Sequence, residues 1–188
     1  LAWEVEDMWS AQNLLMERGI GIGAVNIPGR HFFMHPRDTH GVLMEWTDDS
    51  FGGNERRADE GGGSVDIQGL AWVTAVVADA ESTATFLTDL ADARPVSGNP
   101  RGPEQRERTI DLDIGDVTVR LVTPLSPESP YAGEGDSSRL CSFALRVANL
   151  DAALTDLEAA GVPTVRNDRG IAATDPSATF GLPIEWTT

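Results

Sequence analysis

Three histidines, His31, His35 and His40, sit close together in the chain, Glu45 follows them, and no histidine occurs after residue 40. Imidazoles and carboxylates are the side chains that move protons near neutral pH or hold divalent ions through nitrogen and oxygen. Each histidine also has a plain structural reading. His35 precedes Pro36 and reads as the cap of a turn. His31 alternates with Phe33 on a strand, which gives it a surface or rim role rather than ligation. His40 falls just before a closing strand, near a rim, where it can touch a substrate. Cys141 reads as a buried small apolar residue, because alternation turns it away from Ser142 and toward a helix layer. Gly19, Gly21, Gly23 and Ala24 match the spacing of a dinucleotide fingerprint. A helix precedes them and a strand follows, which is the reverse of what that motif needs.

The elements that position these residues repeat. "HPRDTHGVLMEW" at 35–46 and "DPSATFGLPIEW" at 175–186 share a Pro in second place, a Gly in seventh and a closing Glu-Trp. Upstream of each lies the same order of signals. Val5, the cap Asp7 and the stop Gly19 in one copy answer Val147, the cap Asn149 and the stop Gly161 in the other. Met8, Ala11 and Leu15 share one helix face, as do Leu150, Ala153, Leu154 and Leu157. In the closing segment Val42, Met44 and Trp46 face one way and Leu43 and Glu45 the other. Pro183 predicts an edge position or an interruption of the ladder.

A third unit lies between these two. "GLAWVTAVVADAESTATFLTDL" at 69–90 is an apolar strand, a cap at Asp79 and a helix, followed by "RTIDLDIGDVTVRLVTP" at 108–124 with Gly115-Asp116 as its hairpin turn. The polar, glycine-rich stretch 48–65 reads as a flexible linker, and "RGPEQRER" at 101–108 as a solvated charged loop. The chain therefore divides into an orphan unit at 1–47, the linker, and a complete domain at 66–188 built from units 66–125 and 139–188.

Composition narrows the partners. A formal charge of −16 disfavours nucleic acid. No apolar run approaches a membrane span. A single cysteine excludes an internal disulfide and points to a reducing cytoplasm.

Strand–helix–strand units paired in this way resemble the vicinal oxygen chelate superfamily, which includes glyoxalase I, extradiol dioxygenases, methylmalonyl-CoA epimerase and bleomycin-resistance proteins. "LAWEVEDM", "ERGI", "HP" and "GVLMEW" are similar to the second half of an epimerase-like domain, and 66–188 resembles one complete domain. The resemblance implies an α+β fold in which paired βαβββ units form a cupped barrel. It also implies a divalent metal (Zn, Mn, Co, Ni or Fe) held from the first and last strands of each unit.

Carried over residue by residue, Glu45 matches a metal ligand, while the histidine that should accompany it would precede Leu1. The chain is thus expected to be a truncated form of a longer two-domain protein whose metal site lies in its first domain. In 66–188 the matching positions are Trp72, Arg120, Ser142 and Glu185. One carboxylate among four is too few for a metal, so that domain is expected to hold none. Arg120 and Glu185 are expected to pair across the cup. The leading functional expectation is a metal-dependent lyase or isomerase acting on a small oxygenated substrate. The alternatives are a metal-free binding protein of the bleomycin-resistance type, in which Trp72, Arg120, Ser142, Glu185 and His40 contact the ligand, an extradiol-type dioxygenase, and a purely structural partner domain. Self-pairing of 1–47 into a homodimer is also expected, because a lone unit exposes strand edges.

Overall fold

The computed structural model describes residues 1–48, 65–96, 106–133, 138–166 and 171–188. Most of the expected linker and residues 101–105 of the charged loop lie outside them. The chain forms two compact units, Leu1–Gly61 and Gly62–Thr188.

The first unit runs β1 (Ala2–Glu4), α1 (Met8–Glu17), β2 (Ile22–Ile27), β3 (His31–Met34) and β4 (Glu45–Thr47), with the sheet ordered β1-β4-β3-β2. Helix α1 starts where Asp7 accepts from the backbone N–H groups of Trp9 and Ser10, each at 3.0 Å. It stops at Gly19, whose φ of 72° suits a residue without a Cβ. Met8 and Leu15 are buried from the helix side, and Phe32, Met34, Val42, Met44 and Trp46 from the sheet side. Trp46 stacks on Phe32 at 6.2 Å, lies tilted against Trp3 at 5.8 Å, and donates its indole N–H to the Met34 sulfur. Leu43, on the opposite face, is 54% exposed.

The second unit is α+β and contains two β–α–β–β–β runs. The first is β5 (Ile67–Val76), α2 (Ala80–Ala91), β6 (Arg94–Pro95), β7 (Glu107–Ile114) and β8 (Val117–Pro124). The second is β9 (Arg139–Val147), α3 (Leu150–Ala159), β10 (Thr164–Arg166), β11 (Ala172–Thr174) and β12 (Ile184–Thr187). Their eight strands form one sheet ordered β10-β11-β12-β9-β5-β8-β7-β6, joined where β5 and β9 pair antiparallel. Strand β12 is interior, and Pro183 stands just before it. The missing N–H therefore marks the start of the ladder rather than an edge.

Ala71, Ala75, Val77, Leu87, Val119 and Leu121 are buried in this unit. A second cluster joins Val147, Ala153, Leu157, Ala172 and Trp186. Asp79 caps α2 by accepting from Glu81 N and Ser82 N at 3.0 and 3.1 Å. Asp79→Ala is expected to cost about 1 kcal/mol. Asp79→Asn should recover most of that loss in urea denaturation, because its side-chain oxygen still accepts.

Candidate ligand-binding cup

Register decides what meets on the helix-free face of the second sheet. Trp72 stands opposite Thr118 on β8 and Ala144 on β9, and Ala144 in turn stands opposite Glu185 on β12. Trp72 and Glu185 thus flank one small residue that is 0% exposed. The indole reaches across the Ala144 methyl and donates Nε1–H to Glu185 Oε2 at 3.1 Å. The neighbouring row reads Asp111, Arg120, Thr74 and Ser142. From it Ser142 Oγ donates to Glu185 Oε1 at 3.0 Å. Both carboxylate oxygens are therefore oriented by neutral donors. A larger residue at the centre should part the pair. Ala144→Val is expected to shift the Trp72 indole N–H resonance and to cost about 1–3 kcal/mol through overpacking.

Four positions expected to share a cup, Trp72, Arg120, Ser142 and Glu185, do come together, but not with the pairing expected. Arg120 lies over the Trp72 ring, 5.0 Å from its centroid. Its hydrogen bonds go to Asp111 instead of Glu185, as a two-pronged pair with Nε–Oδ1 at 2.9 Å and Nη2–Oδ2 at 3.0 Å. The two side chains are 16% and 10% exposed. Burial works against the guanidinium charge, yet the hydrogen bonds and charge of Asp111 outweigh it and hold Arg120 above its ordinary value. Asp111 wins because it is the direct cross-strand neighbour on the β7–β8 hairpin, while Glu185 lies on the far side of β5 and β9.

Cys141 also departs from simple alternation. Thr74 pairs with Ser142 and Ala75 with Leu140, so Cys141 is the extra residue of a β-bulge. Its thiol lies 3.5 Å from the Thr74 carbonyl oxygen. Burial pushes the thiol above its usual pKa, and Glu185 adds to the shift against the opposing Arg139.

Tyr131, which no periodicity along the chain singles out, lies within electrostatic reach of Glu185. Arg139 Nη2 donates to the Tyr131 carbonyl at 2.7 Å, and Ser129 Oγ donates to Glu107 at 3.0 Å while accepting from Tyr131 N. These bonds fix the loop that carries the phenol. Burial, then the charge of Glu185, raises the phenol pKa. Tyr131 also lines an open cleft with Val76, Thr123, Leu125, Pro127 and Arg139. Thr74, in register between Arg120 and Ser142, is 0% exposed, and its hydroxyl has no hydrogen-bond partner.

In the first unit His31 is buried, not at a surface or rim. It is 2% exposed, bonds through Nε2 to Glu45 Oε1, and meets Phe33 edge-on at 4.9 Å. His31 and Glu45 come from the adjoining strands β3 and β4, where Phe33 is the direct partner of Glu45. His35 accepts from Arg37 N at 3.3 Å and caps the short 3-10 helix Pro36–Asp38. His40 takes a left-handed φ of 54° in the following turn, where the equivalent Phe180 of the second unit has 56°.

Donor chemistry tests the fit to a divalent ion. The four cup positions offer a single carboxylate among an indole, a guanidinium and a hydroxyl, a set that does not fit. His31 and Glu45 are donors of the right types, but two do not make a site. Among the described residues no three His, Cys, Asp or Glu are grouped to hold a metal ion.

Residues 69–177 match the Glyoxalase/Bleomycin resistance protein/Dioxygenase superfamily, and the chain belongs to it. Among solved structures, methylmalonyl-CoA epimerase from Mycobacterium tuberculosis is similar, with 23% identity and a TM-score of 0.57 over 65% of this chain and 89% of that one. A variant Streptomyces coelicolor methylmalonyl-CoA epimerase in complex with 2-nitronate-propionyl-CoA shows 19% identity and a TM-score of 0.52, covering 64% and 96%. A hypothetical protein from Bacillus halodurans C-125 shows 21% identity and a TM-score of 0.53, covering 62% and 91%. At these identities the likeness is one of fold. No curated protein matches the chain. No helix among the described residues is long and apolar enough to cross a membrane.

Proposed function

We propose that the second unit is a small-molecule-binding domain that works without a metal ion. The observation that carries this reading is the state of Glu185. The carboxylate at the position of a family ligand is oriented by Trp72 and Ser142, and Arg120 beside it is committed to Asp111. An organic ligand fits a surface of ring faces, oriented hydrogen-bond groups and an adjoining cleft. His40 lies in the first unit, in the turn before β4. In 15N-labelled protein dialysed against EDTA, the Trp72 indole N–H resonance is expected to move on adding small aromatic compounds. A response that returns only with Zn2+ or Mn2+ would overturn the metal-free reading.

A second reading has its own support in the first unit. His31 and Glu45 bring an imidazole and a carboxylate together, and Glu45 would be one ligand of a divalent metal in a lyase or isomerase of the epimerase type. When bound, such a metal stabilises an enolate. Glu45 would hold it and His31 would orient Glu45. Glu45→Gln and His31→Ala are each expected to weaken Mn2+ binding by about tenfold or more. Equal Mn2+ binding by both variants and the parent chain would remove this reading.

A further inference from the structure

Charge at the cup reverses the ligand class expected from residue types alone. An arginine beside a tryptophan suggests a site for anions, yet Arg120 is already neutralised by two hydrogen bonds to Asp111. Glu185 accepts from two neutral donors, Trp72 and Ser142, and makes no ion pair with a described residue. Asp113 lies on the same face and accepts from Thr118 at 2.7 Å. Arg146 is exposed and stands beside Thr187, farther along the strand pair than Glu185. Arg139 donates to the neutral Tyr131 carbonyl and keeps its charge at the cleft. The charge beside Trp72 and Ser142 is therefore negative, and the positive charge of Arg139 stands apart from it at the cleft.

Two further features point the same way. The Tyr131 phenol lines the cleft and lies within electrostatic reach of the Glu185 carboxylate. Aromatic faces beside a carboxylate attract cations. The Thr74 hydroxyl, buried in the row between Arg120 and Ser142, has an oxygen still open to an N–H donor or a water. Building on the metal-free binding reading, we infer that the cup takes a small aromatic amine in its ammonium form, with N–H directed at Glu185 and the ring toward Tyr131 and the cleft.

Three probes of one shape separate the claims: benzylammonium, benzyl alcohol and benzoate, each titrated into the 15N-labelled 188-residue chain while following the Trp72 indole N–H. Benzylammonium is expected to bind about tenfold tighter than either of the others, as for a charge-assisted hydrogen bond. Glu185→Gln, which keeps an acceptor for Trp72, should bring benzylammonium down to the level of the alcohol. If benzoate binds as well as or better than benzylammonium, the binding function stands and the assignment to amines falls. A flat response to all three overturns the cup as a binding site and the amine assignment with it. The charge series on the unmodified chain gives this answer even if the variant does not fold.

Discussion

Trp186→Ala is expected to destabilise the second unit by about 4 kcal/mol. Trp186 is 4% exposed and packs with Val147, Ala153, Leu157 and Ala172 where α3 crosses the sheet. Removing it takes an indole out of a closed core, and the small residues around it cannot close the gap. Trp186→Phe is expected to cost far less than the alanine change, for a specific reason. The Trp186 indole N–H is buried with no acceptor, so the phenyl ring gives up volume but no hydrogen bond. The equivalent Trp46 donates to the Met34 sulfur, so its phenylalanine variant should lose more. Urea denaturation of the three variants checks both orders. Equal losses for the two phenylalanine variants would refute the argument from the unpaired donor.

Asp111→Ala carries the second largest expectation, about 3 kcal/mol, because it strands the Arg120 charge in a largely buried position. The double variant Asp111→Leu with Arg120→Met should recover much of the loss, since it leaves no charge behind. The alanine variant has a consequence for binding as well. Arg120 lies within electrostatic reach of Glu185, and once released from Asp111 it would neutralise that carboxylate. Benzylammonium binding is then expected to fall by about tenfold, while benzyl alcohol binding changes little. Unchanged amine binding in a folded Asp111→Ala variant would show that Arg120 stays away from Glu185.

Much of the architecture is written in local signals. Asp7, Asp79 and Asn149 cap helices as their side chains and positions predict, since a cap satisfies backbone N–H groups one turn away and needs nothing distant. The two Glu-Trp endings place the tryptophan in a core and the carboxylate on the opposite face, because alternation along a strand is a property of the backbone itself. Even the Asp111–Arg120 pair was within reach of the sequence. Counting outward from the Gly115-Asp116 turn, Ile114 meets Val117 and Asp111 meets Arg120.

Other choices needed the folded chain. Arg120 had two carboxylates to choose between, and strand order decided for the neighbour on its own hairpin. The bulge at Cys141 arises from how β9 fits against β5, and it breaks the alternation that the sequence implies there. His31 reads as an ordinary strand residue until β3 and β4 lie side by side and place it against Glu45. Tyr131 has no period to reveal it, because its position comes from Arg139 and Ser129 holding a loop. Caps and alternation depend on neighbours along the chain, so the sequence alone determined the units, their faces and the cup positions. Partnership inside the cup depends on which strands lie adjacent and where a register slips, so only the tertiary structure decided the charge that a ligand would meet there.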